Sequence, residues 1–274
     1  NLYRGKGYSC NQAGFRQGRG VEEQQATLVQ IVSSSQQVKN PLVLLFIDFA
    51  KAFPSVSFAS IRAALHAFAV PSHVLHAIMS MYDNIQAYVT TAIGDTDMFD
   101  VTTGTLQGDV LAPLLFDLVL DRILDLALDA HTDGLRLAIT SQIRLTDVDY
   151  ADDICLIASS LQQAQNMLER IRQEALKCNL QIKAGKEKTA YMTFNITKKH
   201  DIFLGTDVVP EVDQYKYLGR IISTKWQNLT KAILMDRTTK AWRIFHTMKR
   251  IFKFLRRSTV DLCYDVMFRQ NNTV

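Results

Sequence analysis

Residues 42–47 read Leu-Val-Leu-Leu-Phe-Ile, six apolar positions in succession closed by the charge of Asp48. An uninterrupted run of that length is too short to span a membrane and suits a central strand buried on both faces. Two further strand-like runs, 143–149 and 154–158, meet at Tyr150-Ala151-Asp152-Asp153, which predicts a hairpin with two adjacent carboxylates at its tip. Leu161, Ala164, Leu168, Ile171 and Ala175 recur at helical spacing, so an amphipathic helix should follow the hairpin and cover the sheet. Other helices are expected over 21–37, from near Pro113, and after Phe53, where Val56, Phe58, Ile61, Leu65 and Phe68 make an apolar face. Gly94-Asp95, between 87–93 and 96–101, suggests one more hairpin.

The acidic pair changes this picture from architecture to chemistry. Adjacent carboxylates in apolar surroundings repel and resist ionisation, and a site that keeps both charged usually supplies a divalent cation. Hard oxygen ligands point to magnesium, with manganese as the substitute. Taken alone, Asp152-Asp153 reads more readily as an ordinary acidic turn. About 100 residues upstream, however, Asp48 ends its buried strand in a position from which it can reach the same ions. Two ions about 3.5–4 Å apart, bridged by shared carboxylates, clamp the attacking and leaving oxygens of a phosphoryl transfer. The constellation therefore argues for a nucleotidyltransferase.

Five segments in order then carry a family resemblance: 47–53 (Ile-Asp-Phe-Ala-Lys-Ala-Phe), 104–116, 150–153, Lys188-Thr189 and 215–219 (Tyr-Lys-Tyr-Leu-Gly). They resemble the palm motifs of reverse transcriptases, and Asn11-Gln12-Ala13-Gly14-Phe15-Arg16 is similar to the non-LTR, LINE-type retrotransposon branch. The resemblance implies an α+β right-hand palm, an antiparallel sheet backed by helices, with a partial fingers region at 1–40, the catalytic palm at 41–215, and the primer-grip end with a partial helical thumb at 216–274. It implies that Asp48 and Asp152 are the principal ligands of two Mg2+ ions, with Asp153 the more peripheral carboxylate. Lys188 would approach the triphosphate, with Lys186 as the alternative contact. Phe49 and Ala50 would cradle the deoxynucleoside triphosphate by their backbone, Phe53 would gate its sugar, and Gln107 and Gly108 would line the pocket and touch the template. Tyr215, Lys216, Tyr217, Leu218 and Gly219 would grip the primer end. The partners implied are an RNA template, a DNA primer or target, and dNTPs.

Each residue has a plainer reading beside this one. Phe53 also fits the core, Gln107-Gly108 a turn before a helix, and Lys188 a solvated surface position. Asp147 and Asp149 read as structural. The 274 residues, 47% of them hydrophobic, suffice for one or two domains with a sizeable core. Four cysteines without a C-x-x-C pair and six scattered histidines suggest neither a disulfide framework nor a zinc site. With no apolar run near 18 residues, no membrane span is expected, and an intracellular, nuclear and cytoplasmic setting follows from the reading.

Charge is uneven along the chain. Residues 216–274 hold thirteen Lys/Arg against three Asp/Glu, a balance of +10 in a chain of net +4, so residues 1–215 carry −6. Trp242, Phe245, Phe252 and Phe254 interleave there with Lys240, Arg243, Lys249, Arg250, Lys253, Arg256 and Arg257, which suits either a duplex backbone or a solvated face of a packed helix. The chain opens at Asn1 and lacks the family's earlier fingers segment, which reads as a fragment. Two functions stand open at this point: an RNA-directed DNA polymerase domain, or a truncated or co-opted remnant that only binds nucleic acid.

Overall fold

The computed structural model describes residues 11–106, 108–136, 144–197 and 200–225. The expectations for Gln107 and for the basic stretch 240–257 lie outside these residues. The chain divides into two compact units, Asn1–Leu218 and Gly219–Val274. In the first, helix α1 (Val21–Val38) precedes strand β1 (Leu42–Ile47), the short helix α2 (Ala52–Ser55), and helices α3 (Phe58–Ala67) and α4 (Ser72–Ser80). Four two-residue strands follow, β2 (Gln86–Ala87), β3 (Thr90–Thr91), β4 (Gly94–Asp95) and β5 (Phe99–Asp100), then helix α5 (Ala112–Ala127). Strands β6 (Asp147–Tyr150) and β7 (Asp153–Ala158), helix α6 (Leu161–Lys177), and strands β8 (Ala190–Phe194), β9 (Ile202–Leu204), β10 (Asp207–Val209) and β11 (Gln214–Tyr217) complete it. Of the second unit, the described part contains β12 (Arg220–Ser223).

The main sheet has the order β6-β7-β1-β8, antiparallel throughout. All six residues of β1 are buried, as their unbroken apolar run requires of a strand with neighbours on both edges. Val43, Leu45 and Ile47 belong to the core shared with α3, α5 and α6. The alternate position Phe46 points the other way and stacks on the ring of Tyr215, centroids 4.0 Å apart. Helix α6 forms where its spacing predicts, with Leu161, Ala164, Leu168, Ile171 and Ala175 all buried. Its start is fixed locally: the Ser160 hydroxyl accepts from the Gln163 amide, while Gln163 Oε1 accepts from the Ser159 amide.

Two expectations shift in detail. The tip of the further hairpin is Ala92-Ile93 rather than Gly94-Asp95, because Thr91 pairs with Gly94 and donates its hydroxyl to the Gly94 carbonyl. Strand β6 begins at Asp147 rather than at residue 143. Asp147 and Asp149 are fully buried within it.

Candidate functional site

Asp48 leaves β1 at the end where Ile47 pairs with Ile154, so the acidic turn between β6 and β7 lies beside it. Its backbone is fixed to the neighbouring segment on the β8 side. The Asp48 amide donates to the Thr189 hydroxyl at 3.1 Å, its carbonyl accepts from the Lys183 amide at 3.2 Å, and the Ala50 amide donates to the Gln181 carbonyl at 2.7 Å. The same segment brings Lys188 to the carboxylate, with Nζ 3.2 Å from Asp48 Oδ2. The Tyr215 hydroxyl donates to the Lys188 carbonyl at 2.7 Å, which fixes the chain that carries the ammonium.

The electrostatics of the turn match this proximity. Burial first, then repulsion from Asp152 and Asp48, pushes the Asp153 carboxyl up to about 6. The residue keeps a face open to solvent, so it remains titratable. Asp152 is likewise raised, by burial and then by Asp48. Tyr215 is raised by burial first and then by the charges of Asp153 and Asp48. Among the described residues no three His, Cys, Asp or Glu side chains are gathered closely enough to hold an ion as they stand. The donor set nevertheless fits a hard divalent cation: three carboxylates within electrostatic reach, two of them raised by burial first and then by neighbouring carboxylates whose charge such a cation would offset.

Residues 49–53 carry the chain on from Asp48 into α2. Phe49 is buried and Ala50 half-buried. Phe53, in α2, is half-buried and stacks on Phe116 of α5 with centroids 4.5 Å apart. The Thr105 amide donates to the Phe53 carbonyl at 2.9 Å, so the segment leading to Gly108 is tied to α2. Gly104 makes that approach possible. It has φ +96°, and a Cβ there would lie 2.8 Å from the Pro54 Cα and carbonyl oxygen. Gly108 is exposed, with φ +92°.

Tyr217 lies beneath the acidic hairpin, 2% exposed, whereas Lys216 is exposed and the Leu218 carbonyl accepts from Gln25 Nε2 at 2.7 Å. Gly219 opens the second unit with φ +81°.

Two features carried no assignment in the sequence. Asp117, on α5, is 1% exposed with no hydrogen-bond partner on either oxygen, and burial, then Asp121, then Asp152, push it up to about 8 against the lowering effect of Arg16. Gln12, fully buried, reaches the turn residue Ala151 directly.

The family described as reverse transcriptase (RNA-dependent DNA polymerase) matches residues 3–222. The chain is 24% identical over 250 residues to the Retrovirus-related Pol polyprotein from type-1 retrotransposable element R2 of Bradysia coprophila, covering 85% of this chain and 27% of that protein. It is 25% identical over 217 residues to the RNA-directed DNA polymerase from mobile element jockey of Drosophila funebris, covering 77% and 23%. The chain thus spans about a quarter of the length of these relatives. Among solved structures, apo telomerase from Candida tropicalis, truncated from its C-terminal domain, superposes with a TM-score of 0.54 at 13% identity, covering 78% of this chain and 39% of that one. Telomerase from Candida albicans in complex with a TWJ fragment of telomeric RNA gives 0.54 at 13% identity, covering 96% and 47%. At such identity the likeness is one of fold.

Proposed function

Because this chain belongs to the reverse transcriptase family and its relatives are non-LTR retrotransposon proteins, we propose that it extends a DNA 3′-hydroxyl with deoxynucleoside triphosphates on an RNA template. The observation that carries this reading is the meeting of Asp48, the Asp152-Asp153 turn and Lys188 at one end of a four-stranded antiparallel sheet. Asp48, Asp152 and Asp153 would hold two Mg2+ ions, or Mn2+ in their place. When bound, the pair lowers the pKa of the attacking hydroxyl and neutralises the charge that develops on the leaving pyrophosphate.

The chain's own groups do the rest. Lys188, presented beside Asp48, is placed to neutralise or protonate the leaving pyrophosphate. The backbone of Phe49 and Ala50 cradles the phosphates, and the ring of Phe53 lies under the sugar, where its bulk clashes with a 2′-hydroxyl. Gly108, with Gln107 beside it, lines the pocket. The 215–219 segment grips the primer end. We assign 1–40 to fingers, 41–215 to palm, and 216–274 to primer grip and thumb. On this reading we assign the protein to the nucleus and cytoplasm, where RNA template and DNA target are found. Among the described residues no helix is long and apolar enough to cross a membrane.

The test is primer extension on an RNA template with Mg2+ or Mn2+, comparing the parent chain with Asp48→Asn and Asp152→Asn. The parent should incorporate deoxynucleotides, and each variant should lose more than about tenfold, roughly 1.4 kcal/mol of barrier, while binding template as the parent does. A parent chain that binds template and primer without extending them would favour the nucleic-acid-binding remnant.

A further inference from the structure

Resting on the reading of Asp152-Asp153 as the metal-binding turn, we propose that Gln12 is a positioning residue that fixes the direction of that turn. Ala151 precedes the acidic pair and has φ +53°, a left-handed conformation that costs a non-glycine residue on the order of 1 kcal/mol. It is 5% exposed, so water does not readily satisfy its peptide groups. The Gln12 carboxamide satisfies both. Its Oε1 accepts from the Ala151 amide at 2.9 Å, and its Nε2 donates to the Ala151 carbonyl at 3.2 Å. A single planar group thus holds both polar atoms of the residue immediately before Asp152. The orientation of that backbone sets where the Asp152 side chain starts.

Gln12 is itself held. The Gly14 amide donates to the same Oε1 at 2.7 Å, and Arg16 Nη1 donates to the Gln12 carbonyl at 3.0 Å. The strand partner is β6: Gln12 bridges Asp149 in parallel, the Ala13 amide donates to the Asp149 carbonyl at 3.0 Å, and Gln24 Nε2 spans the Asn11 and Asp149 carbonyls at 2.6 and 2.8 Å. Gly14 sits so close that a Cβ on it would lie 2.3 Å from the Ala151 nitrogen. No other residue type reproduces the clamp. Asparagine is one methylene too short, glutamate has no donor for the carbonyl, and methionine fills the space without either bond.

The test titrates Mn2+ into the 274-residue chain and follows the free ion by electron paramagnetic resonance, with Asp152→Asn as the reference for loss of the site. Gln12→Met and Gln12→Asn should weaken Mn2+ binding about tenfold or more, the size expected when a group orienting metal ligands is removed. In the parent, the Ala151 amide should exchange with deuterium at least about a hundredfold more slowly than a free peptide. A parent that binds no Mn2+, or an Asp152→Asn chain that binds it equally well, overturns the metal-site reading itself. If Asp152→Asn loses Mn2+ while folded Gln12 variants keep the parent's affinity, the positioning role alone is overturned. Should the variants not fold, the parent's Ala151 exchange decides, and free-peptide rates there overturn the clamp.

Discussion

The Tyr217 hydroxyl donates to the Val148 carbonyl at 2.7 Å and stands 3.2 Å from the Asp153 carbonyl, so one aromatic residue of β11 ties together the two strands that present the acidic turn. Its ring also lies 5.7 Å from Phe46 of β1. Tyr217→Phe keeps the ring and deletes the bond, leaving a buried carbonyl short of a donor. Urea unfolding should show a loss of about 1–3 kcal/mol. Tyr215→Phe, whose hydroxyl is bonded at an exposed site, should cost less. Equal midpoints for the two variants would contradict the tie.

Phe53 stacks on Phe116 and is half-buried, so its two readings, gate and core, are compatible. Phe53→Val should therefore both lower the thermal midpoint and let ribonucleotides in. Discrimination of deoxy over ribo substrates, measured as a ratio of kcat/KM, should fall at least about tenfold, or 1.4 kcal/mol. A destabilised variant with an unchanged ratio would return Phe53 to the core alone.

Gly104→Ala should be disproportionately costly for one added methyl. The new Cβ meets Pro54 backbone at 2.8 Å and the residue must keep φ +96°, so a loss of about 1–3 kcal/mol is expected. Because the next residue bonds the Phe53 carbonyl, KM for the incoming nucleotide should rise as well. A variant as stable as the parent would show that the loop relaxes freely.

Asp117 gives the chain a pH dependence of definite sign. Its folded-state pKa of about 8 lies above the ordinary carboxylate value of 3.8, so between those values the folded chain holds a proton that the unfolded chain has released. Stability is then lost as pH rises from about 4 towards 8, and is unaffected by this group below both values. Asp117→Asn removes the penalty. In EDTA the variant should exceed the parent by at least about 1 kcal/mol at pH 8 and by far less at pH 4. A difference that grows on acidification reverses the assignment.

The basic stretch near the C-terminus is tested through salt. If Arg250, Lys253, Arg256 and Arg257 contact phosphates, neutralising all four should weaken primer-template binding for every sequence alike. Each lost contact should reduce the slope of log affinity against log salt by about 0.9 on B-form duplex, and by less on single strands. A quadruple variant with the parent's slope would leave these residues a solvated face.

How much of this could be read beforehand depended on whether a residue's partners are near it in sequence. The six apolar residues of β1 announce a buried strand because every one of them needs burial, and α6 shows its spacing because one side faces water. Helix α5 misleads for the opposite reason. Asp117 and Asp121, one turn apart, resemble a solvated stripe, but the helix is covered around most of its circumference and both are buried. Gln12 gave no signal beyond its place in a recognisable segment. It lies outside any periodic run, and the peptide it holds is 139 residues away. The hairpin tip slipped by two residues because a threonine hydroxyl, rather than glycine, organises the turn.

Sheet order has a further consequence during synthesis. Strand β1 at 42–47 is flanked by β7 and β8, which begin only at Asp153 and Ala190. A ribosome adding roughly 5–20 residues per second leaves it for on the order of 5–20 s with neither neighbour made. Through that interval the nascent chain carries an apolar segment with both edges open, the kind of surface that pairs with other copies or needs a chaperone to shield it. Asp48 meets Asp152 only once the hairpin emerges, and Lys188 arrives later still. A chain interrupted before then is therefore a hazard to its neighbours, and the acidic site and its lysine come together only near the end of translation of this region.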